Sequence, residues 1–243
     1  MPSANWRGTV GVIKPTYEAG PLVEFIRHLP DGVGVLPTYA DVREHSQQGY
    51  LDAMDNYHDR VEVLSKLGVD VIHPEGGPPF MVRGRKAERE VMKQWEDSYG
   101  IPIFTSGSSQ AEALKALGIE KFVGCTYFRD EKLNAIFSRY FTDAGFDVLA
   151  MEGMDTSPDE AKKVTGDQIY HHLKQAFLKH PGAQGIYLLG SGAWRIVDII
   201  AAEEDLSVPV VHPVAARVWQ VQKLLRLHQP MTGAGRLLAE LPS

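Results

Sequence analysis

Three residues with acid or base side chains stand near the ends of short apolar runs. Glu75 directly precedes a glycine pair, His73 lies two residues before Glu75, and His212 follows the apolar run 208–211. Alternate residues of an extended strand point to the same side, so His73 and Glu75 are expected to face one region. A partly buried glutamate can have its pKa raised toward neutrality, and histidine already titrates there. Glu75, His73 and His212 are therefore predicted to transfer protons as catalytic residues.

Two other interpretations of these residues remain open. His73 can be a hydrogen-bonded histidine at a strand end, with Glu75 paired to a basic residue such as Arg83. Alternatively, His73, Glu75 and His212 supply two nitrogens and one oxygen, a ligand set that leaves an open zinc position for water. Their spacing matches no standard metal motif, so no metal or other cofactor is expected.

The chain contains a single cysteine, Cys125. It cannot form an internal disulfide, and it cannot build a metal site on its own. Because it ends the apolar run 121–125, the favoured interpretation is a small buried hydrophobic residue. Its position directly before Thr126 leaves a second interpretation, in which Cys125 is a catalytic proton donor.

Two glycine-rich segments follow apolar runs and precede helical patterns: Gly76–Gly77, and Gly190, Ser191 and Gly192. Backbone N–H groups in such turns can converge on an anion. The alternative is that glycine is needed there only for a positive φ or for close packing. We expect both segments to bind the carboxylate or enolate of a substrate.

Short apolar runs alternate with longer amphipathic segments along the chain, which predicts buried parallel strands joined by crossover helices. The fold class is therefore α/β. The predicted strands cover residues 9–13, 32–36, 69–73, 101–104, 121–125, 146–151, 185–189 and 208–211. The predicted helices cover residues 50–67, 86–98, 109–117, 131–144, 166–179 and 193–202.

An internal repeat divides these elements into two sets. Residues 68–76 and 182–190 each run from a glycine, through a predicted strand, to a second glycine. The preceding and following strands match in order and spacing, which predicts two similar four-stranded parallel-sheet halves with pseudo-twofold, flavodoxin-like organisation. The predicted boundaries are 1–112 and 113–215 for the halves, with 216–243 as a C-terminal helix and tail that pack back on the first half.

The predicted site lies in the cleft between the halves. Ligands of parallel sheets bind at the carboxyl ends of the strands, so two facing halves bring their loops into one cleft. The predicted substrate-binding residues are Pro15, Thr16, Gly76, Gly77, Pro78, Thr126, Tyr127, Phe128, Gly190, Ser191 and Gly192.

Composition limits the partners. The formal net charge is −6, and the lysines and arginines are scattered, so neither nucleic acid nor a membrane surface is expected as a partner. The N-terminus lacks the apolar core of a signal peptide, and no apolar run approaches the roughly 18 residues of a spanning helix. We expect a cytoplasmic protein that binds a small carboxylate.

Two segments carry a resemblance to a known family. Residues 68–84, and residues 185–194 followed by 208–212, resemble the two cysteine segments of the aspartate/glutamate racemase superfamily, in the branch of maleate isomerases and arylmalonate decarboxylases. By this resemblance the family's first cysteine falls on Gly76 and the second on Gly190. A pocket tyrosine of the family falls on Phe128, with Tyr127 next to it.

The resemblance implies a cofactor-independent enzyme and a homo-oligomer. We expect a decarboxylase-like lyase or an isomerase acting on a small carboxylic acid through an oxyanion-stabilised enolate, without a cysteine pair. Two alternatives remain: a hydrolase using Glu75, His73 and His212, with or without a metal, and a non-catalytic carboxylate-binding protein.

Overall fold

Seven parallel strands form two separate sheets in a computed structural model of the chain, which describes residues 4–127, 130–154, 156, 160–190 and 194–243. The strands are β1 (Gly8–Lys14), β2 (Val33–Tyr39), β3 (Val71–Pro74), β4 (Lys121–Thr126), β5 (Asp147–Gly153), β6 (Gly185–Leu188) and β7 (Val210–Val211). The helices are α1 (Gly20–His28), α2 (Gln47–Asp52), α3 (Met54–Lys66), α4 (Gly77–Met81), α5 (Arg85–Tyr99), α6 (Ser106–Ala116), α7 (Glu131–Thr142), α8 (Gly166–Lys179), α9 (Ile196–Leu206), α10 (Pro213–Leu224) and α11 (Arg236–Glu240), with a 3-10 turn at Ala161–Lys163.

The two sheets repeat one strand order, as the internal repeat predicted. The first sheet runs β2-β1-β3 and the second runs β5-β4-β6-β7, with every pairing parallel. All residues of β3 and β6 are buried, because helices cover both faces of each sheet. The α/β fold with two similar halves is therefore confirmed.

The fourth strand predicted for the first half is much shorter than expected. It is reduced to a single bridge between Ile72 and Ile103. Pro102 has no N–H to donate, and Thr105 already caps the next helix, so little chain is left between them for a ladder. The corresponding β7 has only two residues, and it likewise follows a proline, Pro209.

Helix boundaries follow local capping. α6 begins at residue 106 rather than 109, because the Thr105 hydroxyl accepts from the Ser108 amide in a capping box. α7 starts where the Asp130 carboxylate accepts from the amides of Lys132 and Leu133. The segment predicted as one helix over 50–67 is split into α2 and α3 at Ala53.

Helices α6 and α10 pack against each other between the sheets. Each of them follows the fourth strand position of its half. A central apolar cluster draws on both halves, for example Val12 and Phe25 from the first and Phe122 and Tyr187 from the second. Because α6 and α10 both start at the carboxyl edges of the sheets, their first turns meet in the cleft.

The C-terminal part of the chain contacts the first half. α10 begins before the boundary that the sequence suggested at 215/216, and it packs against α1 as well as α6. The Arg7 guanidinium donates to the Gln229 side chain at 2.7 Å, which ties the tail to the start of β1. The division into segments stays a prediction. Among the described helices, none combines the length and apolarity needed to cross a membrane.

Candidate active site

A cavity of about 270 Å³ lies in the cleft between the halves. Eight of the predicted site residues line it: Pro15, Thr16, Glu75, Gly76, Gly77, Pro78, Tyr127 and Gly190. Lys14, Ser106 and Pro213, which the sequence placed in the strand-end segments of the cleft, also line it. Lining residues that the sequence did not predict are chiefly Tyr50, Gln110, Leu189 and Arg217. The cleft predicted from topology is therefore present, but the sequence named only part of its wall.

Glu75 is the centre of a buried ion cluster. Its Oε1 lies 2.9 Å from Nη1 of Arg217, and its Oε2 lies 3.8 Å from Nζ of Lys14. Burial acts to raise the pKa of Glu75, but the positive charges of Arg217 and Lys14 outweigh burial and hold that pKa below its usual value. The expectation of a raised pKa was wrong, and the ion-pair partner is Arg217 rather than Arg83. Glu75 is ionised at neutral pH and is not a proton donor.

Lys14 ends β1 and carries its amino group to the cavity wall. Burial lowers the pKa of Lys14 and the charge of Arg217 lowers it further, while Glu75 opposes both effects. The 3.8 Å separation from Glu75 exceeds a hydrogen-bond distance, so Lys14 retains capacity to contact a ligand anion.

With Lys14 in its protonated form, the buried cluster has one positive charge in excess. Arg217 and Lys14 together face one buried carboxylate, Glu75, on the described part of the wall, and the other lining carboxylate, Glu18, is exposed. An uncompensated buried charge is costly, so a bound anion that pairs with it is stabilised. This arrangement favours a carboxylate ligand.

Arg217 is the buried charged residue of this cavity that the sequence did not predict. It lies on α10, is 1% exposed, and its guanidinium stands over the Phe25 ring at 5.3 Å. One signal was available. Between residues 208 and 222 Arg217 is the only Asp, Glu, Lys or Arg, in an otherwise apolar helical segment. A lone arginine in such a segment is buried at a cost and therefore needs a partner.

His73 lies in the core rather than on the cavity wall. Its Nδ1 donates to the Phe104 carbonyl at 2.9 Å, and its ring stacks on the Phe104 ring at 4.4 Å. Burial, assisted by the charge of Arg217, lowers the pKa of His73 to about 3. The hydrogen-bonded alternative raised for this residue therefore describes its surroundings, and the ring is uncharged at neutral pH.

His212 caps a helix. Its Nδ1 accepts from the Val214 amide at 3.1 Å, which satisfies one of the free N–H groups at the start of α10. Burial lowers the pKa of His212 to about 3. Its neighbour Pro213 reaches the cavity, whereas His212 does not. Within the described ranges no three His, Cys, Asp or Glu side chains are grouped to hold a metal ion.

Cys125 and Thr126 end β4 behind the wall. Cys125 is fully buried in the apolar cluster of the second half with Val123 and Leu188, and burial raises the pKa of its thiol. The Thr126 hydroxyl donates to Asn134 Oδ1 at 3.1 Å. Neither residue lines the cavity, so the structure places Cys125 as the buried hydrophobic residue that the sequence favoured. Phe128, Ser191 and Gly192 lie outside the described residues.

Both glycine turns need glycine for conformational reasons. Gly76 has φ +105°, and its N–H donates to Ser106 Oγ at 3.2 Å, so this amide already has a partner. Gly190 has φ +83°, and a Cβ there would lie 2.8 Å from the Tyr127 hydroxyl oxygen. The prediction that the glycine turns bind an anion stays a prediction, and the cavity wall beside them also carries the cationic side chains of Lys14 and Arg217.

Tyr127 forms the second half's part of the wall with Leu189 and Gly190. Burial, together with the nearby charge of Glu75, raises the pKa of Tyr127 to about 12. The phenol is therefore protonated at neutral pH. The cavity thus combines a charged region from β1, β3 and α10 with a neutral one around Tyr127.

Comparison with known proteins identifies what the chain resembles. The family profile for arylmalonate decarboxylase matches residues 33–238. An arylmalonate decarboxylase of Bordetella bronchiseptica is 23% identical over 220 residues, covering 89% of this chain and 90% of that protein. A crystal structure of arylmalonate decarboxylase superposes with a TM-score of 0.82 at 21% identity, covering 96% of this chain and 99% of the other.

Two isomerase structures are similar to the same extent. The maleate isomerase Iso from Pseudomonas putida S16 gives a TM-score of 0.86 at 16% identity, covering 96% of this chain and 99% of that one. The maleate cis-trans isomerase of Nocardia farcinica gives 0.86 at 17% identity, covering 96% and 98%. At these identities the structural similarity establishes the shared fold.

Proposed function

This chain belongs to the arylmalonate decarboxylase family, and on that premise we propose that it is a cofactor-independent, decarboxylase-like lyase or an isomerase acting on a small carboxylic acid. The observation that carries the proposal is the excess positive charge of Lys14 and Arg217 beside Glu75 on the wall of the interdomain cavity. A carboxylate is the anion that this arrangement matches in size and charge.

Binding uses the cationic side of the cavity. One substrate carboxylate pairs with Lys14 and with the part of Arg217 not used by Glu75: Nη1 of Arg217 contacts Glu75, while its Nε and Nη2 have no hydrogen-bond partner. A planar guanidinium with free N–H groups suits a carboxylate. Glu75 keeps the arginine oriented and is not consumed in the reaction.

The same charges stabilise the intermediate. When a carbon–carbon bond to carbon dioxide breaks, its electron pair moves onto the remaining carboxylate and forms an enediolate with increased negative charge. Preorganised cations in a site with little water stabilise that developing charge more than they stabilise the ground state. Lys14 and Arg217 therefore lower the barrier as well as hold the substrate.

The neutral side of the cavity favours loss of carbon dioxide. Leu189, Pro213 and the Tyr127 ring line it and offer little solvation to a charged group. A carboxylate that faces such a wall becomes less charged as it leaves as carbon dioxide, so the wall favours departure. This is why we prefer decarboxylation to isomerisation.

The chemistry proceeds without a pair of cysteines in this proposal. Gly76 and Gly190 occupy the positions matched to the family cysteines by resemblance, and Cys125 is fully buried behind the wall. Hydrolysis by Glu75, His73 and His212 finds less support, because the two imidazoles are buried away from the cavity and Glu75 is held by two cations.

The test is turnover in heavy water followed by NMR. The protein is incubated with phenylmalonate, 2-methyl-2-phenylmalonate, maleate and aspartate, with Lys14→Met as the matched control. The proposal predicts a decarboxylated or isomerised product from at least one acid, with solvent deuterium at the protonated carbon and much slower turnover by the control. Line broadening that reports binding, with no product from any acid, would instead support a carboxylate-binding protein.

A further inference from the structure

We propose that the Tyr127 hydroxyl is the proton donor of the reaction, protonating the enediolate carbon from the second half's side of the cavity. This inference rests on the proposed function and adds the group that the sequence could not identify. It makes Tyr127 a catalytic residue rather than a wall residue.

The position of Tyr127 is fixed by its contact with Gly190. The ring lies so close to the Gly190 α-carbon that an added Cβ would be 2.8 Å from both Cζ and Oη. The ring therefore occupies the space that any side chain at position 190 would take, directly after β6. Tyr127 lines the cavity, and its hydroxyl is close enough to Glu75 for that carboxylate to raise its pKa.

The other candidate donors are poorly suited. Glu75 is ionised, and His73, His212 and Cys125 do not reach the cavity. His45 does line the cavity, but it is exposed, and its Nδ1 contacts the Tyr50 hydroxyl rather than the second half's side. Among the remaining described lining groups, Lys14 is needed as a cation at the carboxylate, since losing its proton would remove the charge that stabilises the intermediate.

Three hydroxyl groups besides Tyr127 line the described cavity. Thr16 and Ser106 are aliphatic alcohols and hence weaker acids than a phenol. Tyr50 is the one other phenol on this described wall, and its hydroxyl lies 3.2 Å from Nδ1 of the exposed His45. Tyr127 is the phenol that sits at the end of the strands.

Protons and electrons balance when Tyr127 protonates the enediolate and is then reprotonated by water. Cleavage places the carbon–carboxylate electron pair in the enediolate, and the enediolate carbon then takes the Tyr127 proton, which leaves a phenolate. Water at the open side of the cavity reprotonates the phenolate, so the net reaction consumes one solvent proton. Because the pKa of Tyr127 is raised to about 12, the hydroxyl is fully protonated before each turnover.

The first experiment uses Tyr127→Phe with 2-methyl-2-phenylmalonate, whose product has a stereocentre at the protonated carbon. The phenyl ring keeps the packing against Gly190, so folding is expected to be preserved. We expect kcat to fall about 10²–10⁴-fold, as for loss of a general acid, with KM little changed and with the product closer to racemic. Tyr170→Phe, which removes a hydroxyl bonded to the surface Asp205, is the matched control and should behave like wild type.

A second variant separates proton transfer from structure. Site-specific replacement of Tyr127 by fluorinated tyrosines keeps a hydroxyl but makes the phenol more acidic with each fluorine. If Tyr127 donates the proton, the alkaline limb of the kcat/KM profile moves to lower pH in step with the phenol acidity. A residue that only packs against Gly190 would leave the profile in place.

The outcomes are distinct. Wild-type turnover with an equally active and stereoselective Tyr127→Phe variant would overturn the assignment and leave the proposed function standing. The same holds if Tyr50→Phe, and not Tyr127→Phe, loses rate and stereoselectivity. Wild-type protein that turns over none of the tested acids would contradict the proposed function, and this inference with it.

Discussion

The two halves end their third strands in the same way but surround the ends with different chemistry. In the strand registers Pro74 pairs with Ile13 and Leu188 pairs with Cys125, so Glu75 corresponds to Leu189 and Lys14 to Thr126. The first half therefore places an acid and a base where the second places leucine and threonine. Equivalent strand ends therefore carry charged side chains in the first half and uncharged side chains in the second.

The helices that cross between the halves show the same contrast. Gln110 and Arg217 stand at equal distances from the caps of α6 and α10, Thr105 and His212. The Gln110 amide donates to the Leu188 carbonyl at 2.9 Å, and Arg217 contacts Glu75 at the same distance. The pseudo-symmetry supplies the cleft, and its violation gives that cleft one charged side and one neutral side. In the proposed function the charged side holds the substrate anion.

The largest loss of stability and turnover is expected when Arg217 on the charged side is replaced by glutamine, its counterpart on the neutral side. Arg217→Gln introduces the second half's counterpart but leaves Glu75 buried without its closest cation. Removing one partner of a buried ion pair costs about 3–5 kcal/mol, so the free energy of unfolding should fall by that amount and turnover should be lost. Urea denaturation measures the first effect and the NMR assay the second.

The paired change is the control. In Glu75→Leu with Arg217→Gln both residues of the buried pair are replaced by those of the neutral side, and such replacements are often close to neutral for stability. Most of the lost stability should return while turnover stays absent. If the free energy of unfolding of the double variant is as low as that of the single variant, the loss of the Glu75–Arg217 ion pair is not the cause of the instability.

Lys14→Met should separate binding from stability. Removing the extra cation should weaken phenylacetate binding by about 10–150-fold, equivalent to the loss of one charge-assisted contact of roughly 1.5–3 kcal/mol. Stability should not fall, because a buried cation is costly. In wild-type protein the pKa of Lys14 lies below 10.5, so binding should weaken with rising pH earlier than an ordinary lysine would allow. Calorimetric titration between neutral and alkaline pH measures this, and equal affinity for both proteins would remove Lys14 from the site.

His212→Asn should alter acid stability and leave turnover intact. The folded-state pKa of His212 is about 3, below the ordinary 6.5, so the unfolded chain takes up a proton first. Its contribution is complete above pH 6.5 and is lost as pH falls toward about 3. Asparagine is also a good helix cap, so the variant should fold at neutral pH and show a flatter loss of stability in acid. Loss of turnover would restore His212 as a catalytic candidate.

The smallest effect is expected from Cys125→Ala. The side chain is packed among apolar residues of the second half, so a small cavity should cost about 1 kcal/mol in thermal or urea unfolding. Turnover should stay within twofold of wild type, and alkylating agents should not inhibit the folded protein. A tenfold loss of kcat would show that the thiol reaches the substrate.

The sequence predicted the frame of the site better than its chemistry. Strands, crossover helices and the repeat follow from local hydrophobic periodicity and from glycines that recur at matching places. Gly76 and Gly190 were found in this way, and both have the positive φ that had been the alternative to anion binding. The prediction failed for the strand at 101–104, because Pro102 and the cap at Thr105 leave it only one bridge.

The chemistry depended on contacts between distant parts of the chain. Glu75 is 142 residues from Arg217, and nothing local shows that an arginine on α10 would reach it. Without that partner, burial alone would raise the pKa of Glu75, which is the effect the sequence suggested; the partner reverses it. His73 and His212 were predicted to be acids, but their rings are hydrogen-bonded to the Phe104 carbonyl and to the Val214 amide at the start of α10.

A crystal structure with phenylacetate, the product expected from phenylmalonate, tests the central claim most directly. We expect the ligand carboxylate within ion-pair distance of Lys14 Nζ and the Arg217 guanidinium, with the methylene carbon toward the Tyr127 hydroxyl. A carboxylate bound at the Gly190 side, away from both cations, would contradict the claim that the charged half of the cavity holds the substrate.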